Sequence, residues 1–380
     1  MSHIESGWGA GPSSRYEQLA ERFRPVFRNI RAGAIERELQ RQLPLEQIAW
    51  LKQSGFTALR VPESHGGLGA TLPELFALLI ELGEADSNLV QSIRGHLGFV
   101  ENVLNSGSSP FRDKWLTRLG RGEIVGPAWS ETGDARQSEF STRIARSGES
   151  WRLNGRKFYT TGSLYSDWID IGITDENGKG ISVTVSRTAE GVTVLDDWNG
   201  FGQTLTASGT AIFANVAIAA DDFNEEIHFR YSPAFYQLIH LATLAGIGRA
   251  QSGEVAQQVA SRSGAIVLHA ASAVQRAYDA HFSGDQEVEN HAVAIAELEV
   301  SQSLNVVSDL LLNASSTLFD ALGASATLKP LALDRFWRNV RTLSSHNPRI
   351  YKDRIVGDFA VNGTLPPEQW RIGIADKSSV

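Results

Sequence analysis

Apolar residues recur every three or four positions through the N-terminal third of the chain. The clearest run lies between Tyr16 and Ala32 and comprises Leu19, Phe23, Val26, Phe27 and Ile30. This spacing places the apolar side chains on one face of a helix. Pro44 and Pro73 stand where proline suits the start of a helix, so the region holds several helices. We predict an N-terminal helical domain over residues 15–121, preceded by a disordered lead-in over residues 1–14.

The pattern changes near Gly122, where alternation of apolar and polar residues replaces helical spacing. Strand-like alternation occurs at Ile181–Ser186, Val192–Leu195 and Thr210–Val216. Asn154-Gly155 lies between two further strand-like runs and is the strongest two-residue signal for a hairpin turn. We therefore predict a central β domain, a barrel or sandwich of about six to eight strands, over residues 122–222.

Helical spacing returns after Ser232. The longest apolar seam steps alternately by four and three residues, through Val300, Leu304, Val307, Leu311, Ala314 and Leu318. Such a seam is typical of a helix that packs inside a bundle. We predict a C-terminal four-helix bundle over residues 223–380. The chain is then an α+β protein whose β domain stands between two helical domains.

Composition excludes several classes of function. The formal net charge of −8 argues against nucleic acid as a partner. No apolar run is long enough to cross a membrane, and the N-terminus lacks the basic start and apolar core of a signal peptide. Without cysteines, disulfides, thiolate nucleophiles and cysteine-bound metals are excluded, and no histidine spacing indicates a metal site. We expect a cytoplasmic enzyme or binding protein.

The stretch Arg335–Tyr351 combines basic, aromatic and imidazole side chains. Its arginines share roughly one face of a helix, and such a face is most often simply solvated. These arginines are Arg335, Arg338 and Arg341. Pro348 stops helical continuation directly after His346 and Asn347. A histidine in this position either takes part in proton chemistry or caps the helix.

Four local segments, in this order, resemble those of the acyl-CoA dehydrogenase superfamily. They are VPESHGGLGAT (61–71), GPAWSETGDA (126–135), LNGRKFYTTGSLYSDWI (153–169) and GFGQTLTASG (200–209). The resemblance covers nearly the whole chain and implies a small β domain between two helical domains. It also implies that the C-terminal bundle builds a homotetramer.

Two departures from the dehydrogenases point to another branch of that superfamily. No acidic residue lies between Leu343 and Tyr351, where the dehydrogenases keep a carboxylate base. Their Arg-x-x-Phe-Gly flavin motif is also absent from residues 260–270. The segment WRNVRT (337–342), followed by His-Asn-Pro and Tyr-Lys, resembles the flavin-dependent monooxygenases, among them dibenzothiophene monooxygenases and related small organosulfur monooxygenases.

This resemblance implies a two-component enzyme. Reduced FMN would come from a separate NAD(P)H:FMN reductase, because the chain shows no nicotinamide-binding fingerprint. Oxygen would then reach a small substrate through a C4a-hydroperoxyflavin, and an organosulfur compound (sulfide, sulfoxide or sulfinate) fits the branch best. FAD is the less favoured cofactor.

Other functions stay open at this point. An acyl-CoA dehydrogenase-type FAD oxidoreductase would need a base from elsewhere, such as Glu254. N-hydroxylases of amines or amino sugars and aromatic hydroxylases share the fold. A catalytically inactive scaffold is the remaining possibility.

The resemblance also assigns roles to individual residues. His346 would hydrogen-bond the distal oxygen of the activated flavin and donate a proton, and His96 would face the same pocket from the other side. Read without the resemblance, His96 is a satisfied histidine of the helical core. Ser163 would reach the flavin's polar edge, although a serine at that point is equally consistent with a plain turn.

The remaining candidates fall into two groups. Those expected around the flavin are Trp129 and Ser130, against its ring, and Arg262, Arg338 and Arg341, on its phosphate. Those expected to line the substrate pocket are Tyr159, Trp198 and Asn347.

Overall fold

A computed structural model describes residues 11–131, 140–148, 150–175, 180–224, 229–252 and 257–367. Within them the chain runs from helices to a sheet and back to helices, as predicted. The N-terminal helices are α1 (Tyr16–Ala32), α2 (Ala34–Gln40), α3 (Leu45–Ser54), α4 (Leu72–Ala85), α5 (Ser87–Asn105) and α6 (Pro110–Gly120). The C-terminal helices are α7 (Ser232–Ser252), α8 (Gln257–His281), α9 (Gln286–Leu322), α10 (Asp334–Ser344) and α11 (Arg349–Asn362).

The central region forms one mixed sheet. Its strands in the described residues are β1 (Val125–Ala128), β2 (Arg143–Ser147), β3 (Ser150–Lys157), β4 (Trp168–Thr174), β5 (Gly180–Ser186), β6 (Val192–Val194), β7 (Ala211–Ile218) and β8 (Phe223–Asn224). Their order is β6-β7-β3-β2-β4-β5-β8, and β1 pairs with β4 in parallel. The predicted fold class is therefore confirmed. The last described strand reaches Asn224, two residues beyond the predicted boundary at 222.

The N-terminal and C-terminal helices share one hydrophobic core, while the sheet has a core of its own. The predicted apolar seam of α9 is buried in that shared core. Where α4 crosses α7, a Cβ built on Gly246 would fall 2.6 Å from the carbonyl carbon of Gly83. Only glycine permits so close an approach of two backbones. The N-terminal helices thus rest directly on the bundle.

Local sequence signals set the starts of α4 and α5. Thr71 and Glu74 form a capping box at α4, and Pro73 occupies its first turn. Asp86 accepts a backbone N–H at the start of α5 and forms a buried ion pair of 3.0 Å with Arg37. This anchoring fixes the register of α5, which packs on both α7 and β1.

The hairpin turn predicted at Asn154-Gly155 is wrong. β2 and β3 pair antiparallel with Ser147 opposite Ser150, so the chain reverses after Ser147. Gly148 has a φ of 65° there, a left-handed conformation that glycine adopts readily. Asn154 and Gly155 lie inside β3, where the register against β7 shifts as it does at a β-bulge. An Asn-Gly pair suits a bulge as well as a turn, because glycine tolerates backbone angles that other residues avoid.

Some predictions fall outside the described residues, namely residues 1–10 of the lead-in and Glu254, the base considered for a dehydrogenase. In the part of the chain that is described, no helix combines the length and the apolar character needed to span a bilayer.

Candidate active site

Three basic side chains, two from helices and one from the turn after α10, meet at the C-terminal end of α10. His346 follows α10, and its Nε2 lies 3.3 Å from Nη2 of Arg94 on α5. The imidazole of His240, on α7, packs against that of His346 with ring centroids 4.3 Å apart. Asn339 holds α10 in place, because its side-chain oxygen accepts a 2.6 Å hydrogen bond from the backbone N–H of Gln203.

The side chains of the cluster of Arg94, His240 and His346 have few hydrogen-bond or ion-pair partners. Arg94 is half-buried, its guanidinium carbon lies 5.2 Å from the ring centre of Tyr236, and its buried Nε has no hydrogen-bond partner. His240 is 1% exposed, and neither of its ring nitrogens is hydrogen-bonded. Among the described residues, no aspartate or glutamate pairs with any of the three. The cluster is therefore cationic and lacks a neutralising group of its own.

The surroundings keep both histidines neutral. Burial and the nearby positive charges of Arg94 and Lys352 push the pKa of His240 well below its usual value. His346 is open to solvent on one side, while the packed protein on its other side and the charge of Arg94 lower its pKa. A hydrogen bond with the side chain of Asn347 opposes that shift and raises the pKa. The imidazole of His346 can thus accept or donate a hydrogen bond without carrying charge.

His96, which was predicted to face the same pocket as His346, makes its described hydrogen bonds away from this cluster. Its Nε2 lies 2.8 Å from the carbonyl oxygen of Thr57, and its Nδ1 accepts a 3.3 Å hydrogen bond from the backbone N–H of Val125. His96 stands two positions after Arg94 on α5, so the two side chains point to nearly opposite faces of the helix. Both ring nitrogens are satisfied by backbone groups, and burial lowers the pKa of His96 to about 4. His96 is a structural histidine of the core.

Ser163 lies close to the cluster through a chain of contacts. Its hydroxyl donates a 2.9 Å hydrogen bond to the carbonyl of Pro127 in β1. Pro127 in turn packs on Gly95, where an added Cβ would fall 2.4 Å from the proline ring. Because Gly95 is the neighbour of Arg94, the end of β1 and the Ser163 turn sit beside the helix that carries the cluster.

The predicted ring contacts, Trp129 and Ser130, follow β1. The indole Nε1 of Trp129 donates a 2.9 Å hydrogen bond to Asp170, and the ring packs edge-on against Phe140. Ser130 is exposed, and its carbonyl accepts a hydrogen bond from the backbone N–H of Phe158. Trp129 is thereby held in one orientation by protein contacts, and the Ser130 side chain is open to a ligand.

The predicted phosphate-binding arginines differ in availability. Arg338 already bonds to Glu38, to the carbonyl of Phe201 and to Asp334, at 3.1, 2.8 and 2.8 Å. It ties α10 to α2 and to the loop before β7. The side chains of Arg262 and Arg341 are exposed and form no hydrogen bond or ion pair within the described residues. Of the three arginines predicted to bind the phosphate, these two keep a guanidinium free for it.

The predicted pocket aromatics contact each other. The rings of Tyr159 and Trp198 lie 6.2 Å apart, and the indole Nε1 of Trp198 donates a 3.0 Å hydrogen bond to the carbonyl of Gln203. Tyr159 is 54% exposed and has a φ of 60°, a conformation that is uncommon for an aromatic residue. Backbone strain of this kind concentrates at functional sites. The third predicted pocket residue, Asn347, is the hydrogen-bond partner of His346.

Glu131, next to Ser130, has a structural role. Its carboxylate accepts a 2.6 Å hydrogen bond from Lys157, which is 0% exposed and also lies 3.9 Å from the ring centre of Phe140. Further hydrogen bonds from Ser141 and Thr142 offset its burial and hold the pKa of Glu131 at about 2. Within the described residues, no group of three potential ligands could hold a metal ion.

Comparison with known proteins agrees with this architecture. The chain matches the acyl-CoA dehydrogenase N-terminal domain over residues 14–123 and the acyl-CoA dehydrogenase C-terminal domain over residues 250–348. Together these spans cover more than half of the chain.

Individual relatives align over almost their whole length. Dibenzothiophene monooxygenase of Mycolicibacterium goodii is 25% identical over 93% of this chain and 96% of its own. SfnC of Pseudomonas putida, named a probable FMNH2-dependent monooxygenase, is 25% identical over 88% of this chain and 92% of its own. Among solved structures, methanesulfinate monooxygenase MsuC from Pseudomonas fluorescens has a TM-score of 0.79 at 24% identity, covering 92% of this chain and 98% of that one.

Proposed function

Because this chain belongs to the acyl-CoA dehydrogenase superfamily, we propose that it is a flavin-dependent monooxygenase of that superfamily and not a dehydrogenase. One observation carries the proposal. The end of α10 presents His346 beside Arg94 and His240, with no carboxylate of the described residues in contact. A dehydrogenase needs a carboxylate base at this place, whereas oxygen transfer needs a neutral hydrogen-bonding group.

The cofactor of the proposed reaction is FMN, supplied in reduced form by a separate NAD(P)H:FMN reductase. The named activity of SfnC supports this assignment. Ser130 and Trp129 would hold the flavin ring at the end of β1, and Arg262 or Arg341 would take its phosphate. Ser163 would support that site from behind, because it is fully buried and its hydroxyl already bonds to Pro127. Arg338 does not fit that role, because its donors are already committed to Glu38, Phe201 and Asp334. Reduced FMN, when bound, supplies the two electrons that activate dioxygen.

The chain's own residues would then control the proton and the water. His346 would hydrogen-bond the reacting oxygen and pass it a proton as the O–O bond breaks, taking up a proton at its other ring nitrogen so that the ring stays neutral. Tyr159 and Trp198 would shield the reacting centre from solvent and form a wall for the substrate. The substrate is a small organosulfur compound, as the names of MsuC and dibenzothiophene monooxygenase suggest.

We further propose that the working unit is a homotetramer in the cytoplasm. The exposed face of the C-terminal helices supports the assembly. Val306 on α9 and Ile350 on α11 are 51% and 71% exposed and apolar.

The proposal is tested by mixing the protein anaerobically with photoreduced FMN and then with oxygenated buffer in a stopped-flow spectrometer. We expect a transient flavin spectrum distinct from both reduced and oxidised FMN. Reoxidation at the rate of free flavin, with no transient, would rule the proposal out. Anaerobic bleaching of bound FAD by an acyl-CoA would instead identify a dehydrogenase.

A further inference from the structure

The cluster of Arg94, His240 and His346 leaves strong hydrogen-bond donors and acceptors unused. Within the described residues, the Arg94 guanidinium packs on the Tyr236 ring and has one hydrogen-bonding contact, the 3.3 Å approach of Nη2 to His346. Its Nε is buried without a partner, as are both ring nitrogens of His240. Buried polar groups in proteins are nearly always hydrogen-bonded, and each unsatisfied one destabilises the fold. Several such groups at one point therefore indicate a place for a bound molecule.

The charge of the cluster specifies the kind of molecule. A guanidinium removed from bulk water is unfavourable unless an anion neutralises it. Two buried arginines of this chain have such a partner. Arg37 pairs with Asp86 at 3.0 Å and Arg60 pairs with Glu101 at 2.6 Å. Among the described residues the half-buried Arg94 has no acidic partner.

We propose that Arg94, His240 and His346 form an anion-binding cluster that holds the charged end of the substrate, a small sulfinate. The inference rests on the proposed monooxygenase function and narrows its substrate class. A planar guanidinium donates paired hydrogen bonds to an oxyanion with two equivalent oxygens, a geometry that sulfinates offer. A neutral sulfide or sulfoxide would leave the charge of Arg94 uncompensated.

The chemistry of a sulfinate balances with the proposed cofactor. A sulfinate, dioxygen and reduced FMN give a sulfonate, oxidised FMN and water. The lone pair on sulfur forms the new S–O bond as the O–O bond breaks, and the second oxygen leaves as water with the two hydrogens of the reduced flavin. Substrate and product are both anions, so Arg94 stays neutralised throughout. His346 lies beside the bound anion, where its neutral ring can relay one of the flavin's two hydrogens to the departing oxygen, taking up a proton at one ring nitrogen as it gives one from the other.

Binding measured without turnover tests the inference separately from the monooxygenase activity. The full-length protein is titrated calorimetrically with ethanesulfinate and with dimethyl sulfone, a neutral molecule with the same number of heavy atoms, in the presence and absence of oxidised FMN. We expect the sulfinate to bind at least about tenfold more tightly than the sulfone, because charge-assisted hydrogen bonds exceed neutral ones. Inorganic phosphate serves as the competing anion, since it represents the flavin phosphate.

Three variants assign the binding to Arg94. Arg94→Gln should weaken sulfinate binding about 10- to 100-fold and leave sulfone binding unchanged. Arg94→Lys should weaken sulfinate binding less, because lysine keeps the positive charge and loses only the paired hydrogen bonds of the guanidinium. Arg28→Gln, at an exposed arginine of α1 without a contact in the described part of the chain, is the matched control and should bind as the unmodified protein does.

The inference is overturned if Arg94→Gln binds sulfinate normally, or if the unmodified protein does not prefer sulfinate to sulfone. It is also overturned if phosphate binds more tightly than sulfinate at the cluster. The comparison of sulfinate with sulfone needs no variant, so it decides the question even if Arg94→Gln fails to fold. A protein that shows the flavin transient but no sulfinate preference refutes this inference alone, and one that prefers sulfinate without any transient refutes only the monooxygenase function.

Discussion

Nη2 of Arg94 and Nε2 of His346 lie 3.3 Å apart, although 252 positions separate the two residues in the chain. A guanidinium only donates hydrogen bonds, so Nε2 of His346 is the acceptor and the neutral ring carries its proton on Nδ1. Arg94 therefore both depresses the pKa of His346 and selects its tautomer. The direction in which His346 presents its proton is set by a residue of the N-terminal helices.

Replacement of His346 by alanine should separate flavin oxidation from oxygen transfer. We expect product formation to fall about 10²- to 10⁴-fold, the usual contribution of a proton donor, while reduced FMN is still consumed. The unfolding midpoint should hardly change, because His346 is exposed. Product analysis alongside flavin absorbance checks both points. His269→Ala, at a histidine whose side chain is 69% exposed on α8, is the control, and normal turnover in His346→Ala would remove His346 from the mechanism.

His96→Ala should destabilise the protein without altering the chemistry directly. The variant leaves the carbonyl of Thr57 and the N–H of Val125 without their partner, at a cost of about 1–3 kcal/mol for each buried group. Urea unfolding of the variant and the unmodified protein at pH 7.5 measures the loss. A variant of unchanged stability that no longer transfers oxygen would restore His96 to the reaction centre.

The lowered pKa of His96 predicts that its contribution to the free energy of unfolding depends on pH. The pKa of His96 is lowered to about 4 in the folded protein, below the value of about 6.5 in an unfolded chain. Its contribution to stability is therefore complete above about pH 6.5 and is lost as the pH falls toward 4. The difference in unfolding free energy between His96→Ala and the unmodified protein should shrink over that interval. A constant difference between pH 7.5 and pH 4.5 would contradict this assignment.

Tyr159→Gly should relieve backbone strain and impair substrate binding at the same time. A φ of 60° costs a non-glycine residue about 1–2 kcal/mol, and little packing is lost because Tyr159 is 54% exposed. We expect the free energy of unfolding to stay level or rise, while KM for the organosulfur substrate increases. Tyr159→Phe keeps both the ring and the strain and should match the unmodified protein in stability. A glycine variant that loses more than about 1 kcal/mol would show that the conformation is not strained.

Glu131→Gln should destabilise the sheet strongly. The substitution leaves the ammonium of Lys157 buried without its carboxylate, and such a break costs about 3–5 kcal/mol. Combining it with Lys157→Met, which removes the buried charge, should recover most of the loss. Chemical denaturation of the two single variants and the double variant provides the measurement. Additive losses in the double variant would mean that the two groups do not interact.

The sequence predicts the helices well where their signals are local. The helix over Tyr16–Ala32 follows from the spacing of its apolar residues, and the start of α4 follows from Pro73. The turn between β2 and β3 was misplaced because Asn154-Gly155 satisfies the same local rule as a turn. The choice between turn and bulge depends on the pairing of β3 with β7, which is distant in sequence.

At the candidate site, too, the sequence could not predict contacts between distant segments. His346 could be singled out because it stands where a related group of enzymes keeps an acid. Arg94 and His240 could not, since an arginine or a histidine inside a helix is ordinary until a distant segment packs on it. The one signal in the sequence was that Arg94 stands among the apolar residues Val90, Ile93 and Leu97 of its helix. The sequence favours His96, two positions further on, over Arg94 as a candidate because histidine is more often a catalytic residue than arginine.

The backbone contact between Gly83 and Gly246 has an evolutionary consequence. A methyl group on Gly246 would overlap the backbone of Gly83 and force α4 and α7 apart, whereas one on Gly83 would lie 3.3 Å from Cα of Gly246 in a tight contact. α5 packs on α7 and would shift with it. Arg94 lies on α5 and His240 on α7, so a larger residue at position 246 would change the spacing between them. Because glycine is already the smallest residue, enlargement at one of the two positions cannot be offset at the other. We expect positions 83 and 246 to remain small together among homologues that keep the basic cluster, and to vary freely where the cluster has been lost.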